Sequence, residues 1–383
     1  MVHQDIYTGK SNGQFISPFS FKIDLMRQLI LIPFEKDPDI FYNQFEVQLS
    51  VLSDGTYKIA VIAYKLNGSA DVYHQQGYPL ASQSSILNDP AFIETIFDSC
   101  FFTFSPADLD LSISFRDVHN RAVILKIAER ERKDKVPFTL LAPVGVISKK
   151  PLSLPVYYMY LMSFARKNYC DVIISVGGKF HKPDVFFLPV DKSNNYFTRY
   201  SLDTFNVDIN PAYNSFLEIK EIGNKNSFNI ESVHYELKRN NGHPEIKKIS
   251  VPRDRHLCTV EFSPSFPDIS ALKNNIFLTG DFSIASDMGA GVIKGTYQIS
   301  NKQNEINIKL HPELGWIPRE RRLILRLMFK LVKIFRDWPK SYIWDAQIIR
   351  NENGCYFMDS TWKRITYALP TYLLSWAHSR PFF

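Results

Sequence analysis

Short stretches of alternating apolar and polar residues, separated by turn sequences, recur along most of this chain. In the clearest example, residues 45–51 alternate, the pair Asp54-Gly55 follows, and residues 57–63 alternate again. A period of two places successive side chains on opposite faces of a strand, and Asp-Gly is a favoured two-residue hairpin turn. The pattern therefore predicts an antiparallel β-hairpin.

Other segments repeat the pattern with different turns. Residues 109–127 alternate on both sides of a polar turn, and Asn-Gly pairs at 241–242 and 353–354 occupy hairpin-turn positions further along the chain. The 30 phenylalanines and 19 tyrosines also favour strands over helices. We therefore predict a mainly β protein that is built from antiparallel hairpins.

The length of the chain and a proline-rich middle segment predict two lobes. A chain of 383 residues exceeds the usual size of one domain, and four prolines lie between residues 136 and 155. We predict β-rich lobes at 1–145 and 146–383, the second with a helix. Such a chain of hairpins with a late helix is compatible with lipocalin-like, two-lobed barrel proteins that bind or transform isoprenoids. This analogy concerns the fold and does not fix function.

One stretch, from about 319 to 337, reads as a long amphipathic C-terminal helix. Pro318 suits its first turn and Pro339 ends it. The segment contains seven basic and two acidic residues, so it carries a net charge of +5, out of a formal net charge of +6 for the whole chain. Four of its cations recur at spacings of four and three along one narrow face: Arg322, Arg326, Lys330 and Lys333.

Two interpretations of this helix remain open. It can lie on an anionic membrane or on a partner protein, with its apolar face buried there and its four cations forming the binding surface. Alternatively it packs across a sheet and leaves the cations in water, which is the more frequent arrangement. The rest of the chain is close to neutral, and this argues against nucleic acid as a partner.

The densest group of polar side chains lies between residues 178 and 203. A histidine with a carboxylate three residues later can act as an oriented general base, and an Arg-Tyr pair can hold an oxyanion. The predicted catalytic residues are His181, Asp184, Arg199 and Tyr200. The alternative is a surface loop whose charges pair with one another. No metal-ligand spacing is present, the glycine-rich segment 289–295 lacks a phosphate-loop ending, and no cofactor is predicted.

All five tryptophans lie from Trp316 onward, around the predicted helix. Bulky aromatic rings line apolar pockets, and they also fill protein cores. The residues predicted to line a ligand pocket are Trp316, Trp344, Tyr73 and Tyr78, with a core role as the alternative.

The four cysteines are widely spaced, and the sequence contains neither an apolar leader segment nor a long apolar run. We therefore expect a cytoplasmic protein, with or without membrane association. The function expected is the binding, with or without enzymatic transformation, of a hydrophobic small molecule in an apolar, aromatic-lined β-cavity. The alternative is a peripheral membrane or partner-binding protein that uses the basic helix. The sequence distinguishes neither an enzyme from a carrier nor one oligomeric state from another.

Overall fold

The computed structural model describes residues 6–365, apart from 81–82, 106–107, 132–134, 147, 149, 187–188, 190–192, 287–288 and 304, and apart from the side chains of Ser84 and Ser85. Strands form 60% of the structure and helices 6%, and the sheets include a curled half-barrel. The prediction of a mainly β protein is confirmed.

The strands and helices are as follows. The first strands are β1 (Gln14–Phe15), β2 (Phe21–Ile23), β3 (Met26–Pro33), β4 (Tyr42–Val51), β5 (Tyr57–Lys65), β6 (Ala70–His74), β7 (Pro90–Glu94), β8 (Ser99–Phe104), β9 (Leu109–Arg116), β10 (Ala122–Glu129), β11 (Phe138–Ala142), β12 (Leu154–Arg166), β13 (Cys170–Val176) and β14 (Lys179–His181). They are followed by β15 (Asn195–Ser201), β16 (Asp203–Ile209), β17 (Tyr213–Phe216), β18 (Lys220–Glu221), β19 (Ser227–Ile230), β20 (Val233–Asn240), β21 (His243–Arg253), β22 (His256–Phe266), β23 (Ile276–Ser286), β24 (Val292–Lys302), β25 (Glu305–Ile317), β26 (Tyr342–Arg350) and β27 (Tyr356–Arg364). The α-helices are α1 (Gln83–Ile86), α2 (Leu323–Leu331) and α3 (Lys333–Asp337), and a 3-10 turn spans Ile269–Ala271.

The chain forms two compact units, each assembled from separate segments. Unit 1 contains the described residues of Met1–Ile23, Pro143–Val156 and Val207–Leu369, and unit 2 contains those of Asp24–Ala142 and Tyr157–Asn206. The sequence predicted two contiguous lobes, whereas here the strands β12 and β16 each begin in one unit and end in the other.

Unit 1 is dominated by one antiparallel sheet of ten strands, in the order β17-β27-β26-β25-β24-β23-β22-β21-β20-β19. From β19 to β27, sequential strands are neighbours in this sheet, as a chain of hairpins requires. Asn241 and Gly242 join β20 to β21 with positive φ values of 50° and 86°, which is the backbone of a type I′ turn. At Gly295 the register between β24 and β25 shifts. A side chain there would meet the His311 carbonyl oxygen at 2.1 Å, so this glycine permits a bulge.

Unit 2 is a sandwich of two sheets. One sheet contains β12-β15-β3-β4-β5-β6-β7, with β11 beside β12, and the other has the order β14-β13-β10-β9-β8. Apolar side chains at alternate positions of both sheets form one buried cluster, which includes Val47, Val61, Ile113, Leu125 and Ile174. The hairpin between β4 and β5, predicted from alternation around Asp54-Gly55, is present in unit 2.

The helix predicted over 319–337 is shorter than expected and is interrupted. Residues 319–322 are not helical, and Val332 has extended backbone angles (φ −72°, ψ 115°) between α2 and α3. The interruption lets Phe329 and Phe335 both contact Trp316, at ring distances of 5.1 and 5.7 Å. In a continuous helix two residues six positions apart would point in different directions, because each residue turns the helix by about 100°.

Candidate functional site

The two predicted acid–base residues His181 and Asp184 both hold the loop that joins β3 to β4. The carboxylate of Asp184 accepts hydrogen bonds from the backbone N–H groups of Glu35 (3.0 Å) and Lys36 (3.1 Å). Nδ1 of His181 lies 2.8 Å from the carbonyl oxygen of Asp37. Both side chains are buried, and their contacts fix the conformation of this loop.

An ion-pair cluster lies beside His181, whose Nε2 is 4.0 Å from Oδ1 of Asp39. The guanidinium of Arg121 binds both oxygens of Asp39, at 3.0 and 2.9 Å, and also binds Asp117 at 2.8 Å. Burial alone would raise the pKa of Asp39, but the hydrogen bonds from Arg121 and from the backbone of Phe41 and Ile40, together with the positive charge of Arg121, outweigh it and lower this pKa. The carboxylate beside His181 is therefore already neutralised by an arginine, and this arrangement favours the interpretation of internally paired charges.

Arg199 and Tyr200 are neighbours on β15, so their side chains point to opposite faces of the sheet. Arg199 is fully buried, and its guanidinium donates to the carbonyl oxygen of Phe197 (3.1 Å) and lies over the ring of that residue. Burial lowers the pKa of Arg199 to about 10, although the nearby carboxylate of Glu46 opposes the shift. The side chains of Arg199 and Tyr200 therefore lie on opposite faces of the sheet, in two different environments.

The face of β4 that carries polar residues is buried, which the sequence did not suggest. Four polar residues alternate with the apolar core positions of this strand: Gln44, Glu46, Gln48 and Ser50. Glu46 lies in one row with Leu31 and Arg199 on adjacent strands, and accepts hydrogen bonds from Gln48 Nε2 (2.6 Å) and Tyr64 Oη (2.7 Å). Burial raises the pKa of Glu46.

Tyr200 points into the other environment and belongs to a buried polar network. Its hydroxyl donates to Oε2 of Glu129 (2.6 Å) and accepts from Nζ of Lys135 (2.8 Å). Lys135 Nζ also lies 2.6 Å from Oε1 of Glu129 and donates to the carbonyl oxygen of Phe164. The backbone N–H of Arg166 donates to the same Oε1 (2.8 Å). These contacts use all three donors of the Lys135 ammonium group.

Cys170 pairs with Glu129 between strands β13 and β10. Burial is the main cause that raises the pKa of its thiol. A buried thiol with a raised pKa is a poor nucleophile, which argues against a nucleophilic role for Cys170.

A narrow cleft lies beside this network and has room for about one water molecule, roughly 10 Å³. Its apolar wall contains Val136, Phe138 and Phe164. Its polar residues are Lys135, Ser163, Arg166 and Asn195.

A series of phenylalanine rings extends from this cleft. The ring centroids of Phe138 and Phe164 are 6.0 Å apart, those of Phe164 and Phe186 are 4.6 Å apart, and those of Phe186 and Phe197 are 5.4 Å apart. We call these four residues the phenylalanine stack. The phenylalanine stack gives the cleft an aromatic wall. The sequence instead predicted an aromatic-lined pocket around the tryptophans.

The side chains predicted to line a ligand pocket lie in packed surroundings. Trp316 donates from Nε1 to the carbonyl oxygen of Ala290 (2.8 Å), and Trp344 is fully buried. Tyr73 packs in the core of unit 2, where burial raises its pKa to about 12. The hydroxyl of Tyr78 donates a hydrogen bond to Oε1 of the buried Gln48 on β4 (2.6 Å). Trp376, the last of the five tryptophans in the sequence, lies outside the described residues.

The cations of the predicted binding helix differ in their surroundings. Arg322 pairs with Glu320 at 3.1 Å. Arg326 and Lys330 are exposed, and Lys333 is half-buried. In the part of the chain that the structure describes, none of these last three forms a salt bridge with an acidic side chain.

Helix α2 also exposes large apolar side chains next to these cations. Leu325 and Phe329 are buried, but four other apolar side chains of the helix face solvent. Their exposed fractions are Leu323 78%, Ile324 44%, Leu327 55% and Leu331 66%. Leu323, Leu327 and Leu331 are spaced by four and so lie on one side of the helix. We call the four exposed apolar residues together with Arg326 and Lys330 the α2 surface.

Sequence reasoning did not single out Glu129, Lys135 or Arg166 as site residues. One signal was present. Residues 123, 125 and 127 of β10 point into the core, and Glu129 continues that spacing. A carboxylate at an inward position needs a buried partner, which Lys135 supplies.

Among the described residues, no group of three or more His, Cys, Asp or Glu side chains is placed to hold a metal ion. Within the same residues, no helix is both long and apolar enough to cross a bilayer. Comparison with protein-family models, with curated proteins and with solved structures found no match that would indicate a family or a function.

Proposed function

We propose that this protein binds reversibly to anionic membranes through the α2 surface. The observation that carries the proposal is the exposure of Leu323, Leu327 and Leu331 on one side of a helix that also presents Arg326 and Lys330. Isolated exposed apolar residues are common on soluble proteins, but a contiguous apolar row beside unpaired cations is typical of interfacial helices.

Both components of the surface contribute to the proposed affinity. The leucines gain free energy by leaving water for the boundary between headgroups and acyl chains. Each Lys or Arg near an anionic surface adds about 1 kcal/mol. A surface of this size supports reversible rather than permanent attachment.

The proposed place of action is the cytoplasmic face of a membrane, where anionic lipids are enriched. The four cysteines support this proposal, because none of Cys100, Cys170, Cys258 and Cys355 forms a disulfide in the described part of the chain. Free thiols without disulfides are typical of reducing compartments.

Flotation with lipid vesicles tests the proposal. The purified protein is mixed with vesicles of phosphatidylcholine alone or of phosphatidylcholine with phosphatidylserine, at low and at high salt. We expect flotation with the anionic vesicles at low salt and a marked loss at high salt, because salt screens exposed charges. Equal recovery with both vesicle types, or none with either, contradicts the proposal. A stable dimer in solution that buries α2 would assign the surface to a second copy of the chain instead.

As a second function we propose that unit 2 binds a hydrophobic small molecule, with or without chemistry on it, in a lipocalin-like cavity. The observation in favour is the phenylalanine stack beside a cleft whose wall includes Lys135, Ser163 and Arg166. Aromatic walls with a few converging polar groups are usual in small-molecule sites.

Native mass spectrometry of the protein purified from its own host tests this second function. We expect an apolar molecule bound at a stoichiometric ratio, which organic extraction then identifies. An empty protein that also fails to bind 1-decanol saturably contradicts it.

A further inference from the structure

Strand β8 lies at one edge of the five-stranded sheet of unit 2, with β9 on one side and no other described strand beside it. It spans the six residues Ser99–Phe104 and contains neither a charged residue nor a proline. Proteins usually protect an edge with charges, prolines or a very short strand, because its free backbone groups can pair with another chain. Strand β8 has none of these protections.

Two other edge strands of unit 2 are protected. Strand β14, at the opposite edge of the same sheet, has three residues, begins with Lys179 and is followed by Lys182 and Pro183. Strand β7, at an edge of the other sheet, begins with Pro90 and ends with Glu94. The contrast identifies β8 as the edge that is open to pairing.

The backbone of β8 has hydrogen-bonding groups on its open side. The N–H of Ser105 donates to the carbonyl oxygen of Asp108 (2.9 Å), so these residues form a hydrogen-bonded pair at the turn between β8 and β9. Bonded and non-bonded pairs alternate along an antiparallel ladder. Cys100 and Phe102 therefore face β9 in non-bonded pairs, and their N–H and C=O groups point to the open edge.

The side chains of β8 suit pairing with an identical strand. Phe102 packs against the core of unit 2, whereas Phe101 is 52% exposed on the outer face of the sheet and Thr103 is exposed beside it. Aromatic and β-branched side chains that lie opposite one another stabilise paired strands. Because β8 is uncharged, two copies of it bring no like charges together.

We infer that the protein forms a symmetric dimer in which β8 pairs antiparallel with β8 of a second copy. A two-fold axis brings the same open edge of both copies together, so each copy supplies the backbone groups that the other lacks. The two five-stranded sheets then form one sheet of ten strands. The inference is independent of the proposed membrane binding, since β8 belongs to unit 2 and α2 to unit 1.

Sedimentation equilibrium of the full chain without lipid tests the inference. We expect the mass to rise from that of a monomer to that of a dimer with increasing concentration. Phe101→Lys places one charge on each of the paired strands and is expected to raise the dissociation constant of the dimer roughly tenfold or more. Thr103→Lys acts at the next outward position and decides if Phe101→Lys does not fold.

Two controls locate the contact. Phe180→Lys changes a side chain that is 72% exposed on β14, at the opposite edge of the same sheet, and should leave the dissociation constant unchanged. The variant with Leu323, Leu327 and Leu331 changed to Gln should also remain a dimer. This second control separates pairing through β8 from a dimer through the α2 surface.

Oxidative cross-linking identifies the strands that meet. Cys100 and Cys355 are exposed, so both are first changed to Ser. Phe101→Cys and Thr103→Cys are then made singly, because pairing along most of β8 places these positions opposite 101 or 103 of the other copy. We expect an intermolecular disulfide in one of the two proteins or in their mixture, and none in Phe180→Cys.

Several results would overturn the inference. One is a protein that stays a monomer at every concentration, which would leave both proposed functions standing. Another is a dimer that the lysine variants leave intact, or that forms no disulfide through residues 101 and 103. Loss of the dimer in the α2 variant would assign the contact to the α2 surface instead.

Discussion

Replacing Leu323, Leu327 and Leu331 together by Gln should abolish most membrane binding without unfolding the protein. Glutamine and leucine have similar helix propensities, and the three side chains are on average about two-thirds exposed, so little packing is lost. The comparison isolates the apolar part of the α2 surface, because Arg326 and Lys330 are retained.

The size of the effect follows from the exposed fractions. Burying a whole leucine side chain is worth about 1.5–3 kcal/mol, so the exposed parts of these three sum to about 3–6 kcal/mol. An interfacial helix buries such side chains only in part, and about half of that sum is a reasonable gain. The partition coefficient should therefore fall by roughly 10- to 100-fold.

The assay is sedimentation of the protein with sucrose-loaded vesicles of phosphatidylcholine and phosphatidylserine over a range of lipid concentrations. The matched control is Phe277→Gln, which removes an apolar side chain that is 65% exposed. Phe277 lies on β23 and pairs with Ser300, near one end of β24. Helix α2 follows β25, whose last residue Ile317 pairs with Val292 at the other end of β24. The control position is therefore at the opposite end of β24 from the start of the α2 segment. An unchanged partition coefficient in the triple variant, or an equal loss in the control, would refute the reasoning.

Three further predictions follow from the same contacts. Lys330→Glu reverses one exposed charge and should weaken partitioning by about 2 kcal/mol at low salt, measured by the same sedimentation assay, with little difference from the wild type at high salt. Glu129→Ala leaves the ammonium of Lys135 buried without its carboxylate and should lower the free energy of unfolding in urea by about 3–5 kcal/mol, whereas Arg130→Ala, which breaks an exposed pair, should lower it by less than about 1 kcal/mol. Burial raises the pKa of Glu46 in the folded protein above its ordinary value of 4.5. Between these two pKa values the folded protein keeps a proton that the unfolded chain has released. The free energy of unfolding should therefore fall as the pH rises from 4.5 through the folded-state pKa. Unfolding measured across that pH range in Glu46→Gln should lack this decrease, and an identical pH dependence in both proteins would contradict the assignment.

The hairpins were predictable because their signals are local. Alternation in residues 45–51 and the turn at Asp54-Gly55 specify two paired strands without reference to the rest of the chain. The same alternation did not reveal that Gln44, Glu46 and Gln48 are also buried. Their burial depends on what packs over the second face of the sheet, and no local pattern records that.

The interruption of the helix at Val332 was not predictable for a related reason. Apolar spacing across 323–335 is compatible with one helix, and the break arises because two phenylalanines pack on Trp316. The leucines of the shortened α2 are exposed to water, which is the observation behind the proposed membrane binding. Sequence reasoning identified the basic residues of this surface but assigned most of the apolar residues to a buried face.

The candidate site in unit 2 was only partly predictable. Tyr200 was recognised from its polar neighbours, but its partners Glu129 and Lys135 are 71 and 65 residues away in the chain. Contacts of this separation depend on how two sheets pack together. An inward-pointing carboxylate at the end of β10 was the one local clue.

The most direct test of membrane binding through α2 is the depth of a spin label at position 327 on anionic vesicles. Exposed Cys100 and Cys355 are first changed to Ser, and single cysteines are then introduced at 327 and, as a control, at 277. With vesicles present, a nitroxide at 327 should become accessible to lipid-dissolved oxygen and shielded from a water-soluble nickel chelate, while the label at 277 stays accessible to the chelate. A label at 327 that remains fully accessible to the chelate in vesicle-bound protein would contradict the account.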